Sequence, residues 1–203
     1  MKNQILKALK KTSQLALVLL LGVSIANCSK DDAPAPQSNP PAAVAEQNPL
    51  AGFLSASGFN QKSTAVNGTS GERSLSFILL VDGKMIAITV KVPVARNGIR
   101  VLIWDKADAI VLRTEAISIP TANMETTKTI EAINLVKNKE YIICFSVNDF
   151  YVRERTDASN VTYPFTVGDI KITGYLQTPN SGKMPNSGEV SFYSSDCSFK
   201  FQK

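Results

Sequence analysis

Between residues 73 and 203 the chain sets apolar and β-branched side chains at alternate positions, in short runs each ended by a turn-forming group. Successive side chains of a strand point to opposite faces, so this period of two fits half-buried strands and no helix. Met85–Val92 shows it best, with Ile86, Ile88, Val90 and Val92 interleaved with Thr89 and Lys91. Ser74–Val81 precedes it, stopped by Asp82-Gly83-Lys84, which reads as a hairpin-type turn. Ile99–Trp104 leads into the turn Asp105–Asp108, and Ile110-Val-Leu112 opens a strand closed by Pro120. Thr129–Leu135 and Tyr141–Val147 read as a further pair joined by residues 136–140. Ile170 and Ile172, Val190–Tyr193 and Phe199–Phe201 complete the set. The expectation is an all-β fold, a β-sandwich or jelly-roll-like single domain over 73–203.

The N-terminal residues are of another kind. Lys2, Lys7, Lys10 and Lys11 precede an apolar core, Leu15–Val23, which is too short for a bilayer needing roughly 20 apolar residues. The core ends at Ile25-Ala26-Asn27-Cys28, which resembles the lipobox of bacterial lipoproteins, with Asn27 where Gly, Ala or Ser is usual. That resemblance implies a signal peptide over 1–27, cleavage before Cys28, and acylation of its thiol. Ser29-Lys30-Asp31-Asp32 is similar to the Lys/acid export signal of surface lipoproteins in the Bacteroidota. It implies an outer-membrane protein, lipid-anchored and facing outward.

Charge follows the same division. The chain holds 22 Lys plus Arg against 17 Asp plus Glu; four lysines and no acid lie in 1–27, leaving 18 against 17. The basicity belongs to the leader, so nucleic acid is not an expected partner. Residues 28–52, rich in Pro, Ala, Asn and Gln, read as a tether reaching at most on the order of 75 Å in extended form. Residues 53–72 read as a partly ordered lead-in, docking through Phe53, Leu54 and Phe59.

The strand order Asp82–Pro93, Ile99–Asp105, Ile110–Leu112, with Leu135–Phe145 later, is similar to that of an uncharacterised bacterial surface β-sandwich family. Lys106-Ala107-Asp108 stands where that family places a glycine after the strand-ending acid. The resemblance covers 74–203, implies a sandwich, and carries no activity with it.

The chain has no histidine, which removes Ser-His-Asp and Cys-His catalysis and His-ligated zinc. Carboxylate pairs remain for hydrolysis of glycosides: Asp105 with Asp108, or Asp149 with Glu154 and Asp157. Acids in turns are commonly solvated loop charges. No cofactor is expected beyond a structural calcium ion, for which Asp105, Asp108, Asp157 and Asp169 are the candidates. Cys144 and Cys197 read equally well as a disulfide, which an exported chain permits, or as two buried thiols. Trp104 ends an apolar run and reads as core. Phe150, Tyr151, Arg153 and Glu154 combine aromatic faces with polar groups just after a strand, a composition suited to a ligand-binding edge. The doubled Pro-Asn-Ser-Gly at 179–182 and 185–188 reads as a loop.

These features point to a non-catalytic, lipid-anchored binding module for glycan or protein, serving adhesion or nutrient capture. The rivals are a carboxylate-based polysaccharide hydrolase and a structural subunit pairing through a sheet edge.

Overall fold

The computed structural model describes residues 45–203. The leader, Cys28, the Ser29–Asp32 cluster and the tether up to residue 44 lie outside the described residues.

The described chain is an all-β sandwich of antiparallel sheets with one short helix. Helix α1 (Pro49–Ser57) begins where the Asn48 side chain accepts the Leu50 N–H at 3.2 Å and Pro49 opens the first turn. It ends at Gly58, whose φ of 74° is the left-handed conformation that glycine adopts without strain. Phe53 on this helix is fully buried. Strand β1 (Phe59–Ala65) follows, so the 53–72 lead-in belongs to the domain, which is tied in earlier still, where Gln47 exchanges two backbone hydrogen bonds with Phe201, each 2.9 Å.

Twelve more strands complete the fold: β2 (Gly71–Leu79), β3 (Gly83–Val90), β4 (Arg96–Asp105), β5 (Ile110–Ile119), β6 (Thr126–Leu135), β7 (Glu140–Val147), β8 (Phe150–Arg155), β9 (Phe165–Val167), β10 (Ile170–Thr178), β11 (Ser187–Glu189), β12 (Phe192–Tyr193) and β13 (Cys197–Gln202). The largest sheet runs β11-β10-β2-β7-β4-β5, with β9 also on β10. A second, β13-β3-β6, packs across it, and a third, β1-β8-β12, closes one side with α1. Phe77 of β2 meets Phe199 of β13 with ring centroids 4.4 Å apart, and Phe53, Phe59, Tyr163 and Tyr193 form an aromatic knot under α1.

Two expected pairings are corrected. Asp82-Gly83 makes no hairpin: β2 lies in the large sheet and β3 in the second, and this corner carries the chain between layers. Gly83 is required there because a Cβ would collide with the Gln202 carbonyl and the Phe201 ring on β13. Strands β6 and β7 do not pair either; β6 bonds β3, while β7 sits between β2 and β4.

The outer face of the large sheet carries its own small cluster, Leu102, Trp104, Ile142 and Cys144, covered by Leu176 and by Met184 of the 179–186 loop. Trp104 is thus buried, on the face opposite the main core.

Candidate functional site

The ligand-binding edge expected around Phe150 is a structural joint. Strand β8 is the middle strand of its sheet, with β1 and β12 on its sides. Tyr151 is buried and donates its hydroxyl to Asn123 Oδ1 at 2.7 Å. Arg153 spends its fork on Asp196, Nε to Oδ1 at 2.9 Å and Nη2 to Oδ2 at 2.5 Å. Phe150 is half-buried beneath the Arg73 guanidinium. Glu154 faces Asn60 and Phe192 in register. The four residues therefore share a strand and no common ligand face.

Cys144 and Cys197 are free thiols, which settles the open alternative against a disulfide. Their side chains belong to different clusters, Cys144 on the outer face of the sheet and Cys197 in the main core. Burial pushes both thiols far up, with Glu72 adding to the effect at Cys144.

The acids are likewise dispersed. Asp105 and Asp108 do converge, but on the Lys139 ammonium. Asp157 is held in its own turn by Ser159, and Asp169 by Gln47 and Lys203. Among the described residues no group of three or more acids, cysteines or histidines is arranged to hold a metal. Asp149 is buried against Arg96, apart from Glu154 and Asp157.

What the fold does assemble is a polar groove at one end of the sandwich. Here β2 and β4 begin, β7 and β10 end, and the 179–186 loop folds back. A cavity of about 390 Å³ is lined by Arg96 and Arg100 together with Asn97, Ser146, Asn148 and Ser181. A second, about 260 Å³, lies against Arg73, Gln177, Thr178 and Ser187. Ser70 borders both, so the two cavities adjoin at the start of β2.

The electrostatics are built in layers. Arg96 and Arg100 reach the groove with side chains 36% and 38% exposed, and each is backed by a fully buried carboxylate, Asp149 and Glu72. Asp149 also accepts the Asn67 N–H at 2.7 Å, and Glu72 the Gly182 N–H at 2.7 Å. Arg100 donates to Ser181 Oγ at 2.8 Å as well. Each acid holds its guanidinium through one carboxylate oxygen, beside three hydroxyls and two amides that line the groove. Such a surface offers many donors and acceptors at low net charge, which suits a hydroxyl-rich ligand.

Sequence reasoning missed Arg73, Arg96, Arg100 and Glu72. The available signal was a charge inside an apolar run: Arg100 within Ile99–Trp104, and Glu72-Arg73 at the head of Ser74–Leu79.

No protein-family model matches the chain, and no curated protein matches its sequence.

Proposed function

We propose that this chain is a non-catalytic glycan-binding module, held at the outer membrane by lipid on Cys28 and displayed outward on its tether. The observation that carries the binding half is the Arg96–Arg100 groove, where ion-paired guanidinium groups stand among Ser70, Asn97, Ser146, Asn148 and Ser181. Preorganised donors of this kind bind without having to be ordered at the moment of contact. Asp149 and Glu72 are buried, and each accepts from one of those guanidinium groups. The anchoring half is supported by the lipobox-like Ile25–Cys28 and the Lys30-Asp31-Asp32 cluster.

The test is affinity electrophoresis of the intact, detergent-solubilised protein through gels containing single polysaccharides. Retardation by at least one of them is expected, and the double variant Asn97→Ala with Ser146→Ala should weaken it about tenfold while leaving the buried ion pairs whole. A wild type that no polysaccharide retards, or a variant retarded as before, rejects the reading.

A second reading has one observation in its favour. Among the described residues edge strand β5 pairs only with β4, and Ile110, Val111 and Leu112 at its start are 56%, 38% and 39% exposed. An open apolar edge can accept a strand from another chain. Val111→Lys abolishing a concentration-dependent oligomer would favour that structural-subunit role.

A further inference from the structure

Arg73 sits where the alternation of β2 calls for an apolar residue. Leu75, Phe77 and Leu79 on the same face all enter the main core, and Arg73 continues their row toward the strand start. It is only 7% exposed. Its guanidinium carbon lies 3.6 Å from the Phe150 ring centroid, and Nη2 donates to the Thr69 carbonyl at 3.3 Å. Nε is buried without an acceptor, and no carboxylate among the described residues forms an ion pair with this side chain. The nearby acids are engaged elsewhere: Glu72 turns to the opposite face and Arg100, and Glu189 accepts from Gln177 at 3.2 Å.

A buried cation without a counter-charge is costly, and a ring face with one carbonyl returns only part of that cost. Burial accordingly lowers the guanidinium's proton affinity. The remaining demand is met most directly by an anion, and the smaller cavity lies against this side chain. Its other walls, Ser70, Thr178, Gln177 and Ser187, supply hydroxyl and amide groups of the kind that ring an oxyanion. At about 260 Å³ it has room for a charged substituent and not for a long chain segment.

We propose that the Arg73 pocket receives an oxyanion borne on a sugar, so that the ligand of the groove is an acidic polysaccharide. The inference rests on the glycan-binding reading and adds the charge to it. Ser70, at the head of β2, borders both this cavity and the one lined by Arg96 and Arg100.

The test uses the intact, detergent-solubilised protein with three probes: dextran sulfate, polygalacturonate and uncharged dextran. At moderate salt, at least one acidic polymer should bind tenfold or more tighter than dextran. Ser187→Glu, on an exposed position at the pocket rim, should remove that preference by like-charge repulsion. Asn134→Glu, exposed on β6 at the end of the sandwich remote from the starts of β2 and β4, adds the same charge away from the groove and should leave it intact. Arg73→Gln, checked for folding by circular dichroism, should act as Ser187→Glu does. Tight binding of dextran sulfate alone identifies a sulfate ester, and of polygalacturonate alone a carboxylate. Equal binding of dextran and both acidic polymers overturns the anion site and leaves the glycan-binding module standing. Binding of none overturns both readings. An acidic preference that survives Ser187→Glu overturns the assignment to this pocket.

Discussion

Arg153 and Asp196 form a two-bond fork that ties strand β8 of the third sheet to the residue entering β13 of the second. Their side chains are 12% and 3% exposed, so the pair is nearly dry. Burial would pull the Arg153 guanidinium down, yet the bonds to Asp196 outweigh it and hold the group above its ordinary value. Removing one partner of such a pair strands the other charge. Arg153→Ala is expected to cost on the order of 3 kcal/mol, and Arg153→Lys, which keeps the charge and loses the fork, less. Urea denaturation of the three proteins, compared at constant slope, measures both. A loss within experimental error for Arg153→Ala would show that the pair does not join the sheets.

Gly83 and Gly98 separate two reasons for a glycine. At Gly83 the obstacle is the neighbouring strand, since a Cβ would strike the Gln202 carbonyl and the Phe201 ring. At Gly98 the surroundings are open and only the φ of +66° is unfavourable to other residues. Gly83→Ala should therefore cost about 2–3 kcal/mol by overpacking and loosen β13 from β3. Gly98→Ala should cost about 1 kcal/mol from backbone strain alone. Amide hydrogen exchange gives the sharper test: protection in β13 falls for the first variant and is unchanged for the second.

Much of the strand layout can be read along the chain, because hydrophobic alternation records which face of each run is buried. Strand partners cannot, and the reasons are local. A bulge at Ile86 opposite β13 shifts the phase of β3, so that Met85 before it and Ile88 and Val90 after it enter the core while Ile86 stays partly exposed. Polar β1, with the pattern Phe-Asn-Gln-Lys-Ser-Thr-Ala, lacks alternation because it is an edge strand with most of its side chains in water. The α1 helix, bounded by Asn48-Pro49 and Gly58, is too short to show a period. The groove was the least legible part, since Arg73, Arg96, Arg100, Ser146 and Ser181 come from separate segments and meet only through the sheet order.

Glu140 gives a pH dependence whose sign follows from its partners. Burial raises its carboxyl, but hydrogen bonds from Thr173 at 2.6 Å, Lys106 at 2.9 Å and Ser76 at 2.8 Å together hold it below the ordinary value of 4.5. A carboxyl depressed in the folded state contributes stability that is complete above its unfolded pKa and is lost as pH falls through the folded one. Wild type should therefore lose stability as pH drops from about 4.5, the ordinary glutamate value. Glu140→Gln should be less stable near neutrality and show a shallower decline on acidification. Asp105 is also depressed, burial being outweighed chiefly by its bond to Lys139, so part of the acid sensitivity will remain. Denaturation midpoints at several pH values between neutrality and acid test this, and parallel curves for the two proteins would exclude the role of Glu140.

The proposed address is testable apart from the ligand. If Cys28 carries the lipid, metabolic labelling with a palmitate analogue should mark wild type, and Cys28→Ala should abolish the label and release the protein from the membrane fraction. If Lys30, Asp31 and Asp32 direct export, protease added to intact cells should degrade wild type and spare a variant with all three changed to alanine. The folded domain resists proteolysis where its backbone is paired, so a cut in the Pro- and Ala-rich stretch after Cys28 is the expected first event. Protection of wild type as well would place the groove on the periplasmic side, where its ligand would have to be a polymer found in that compartment.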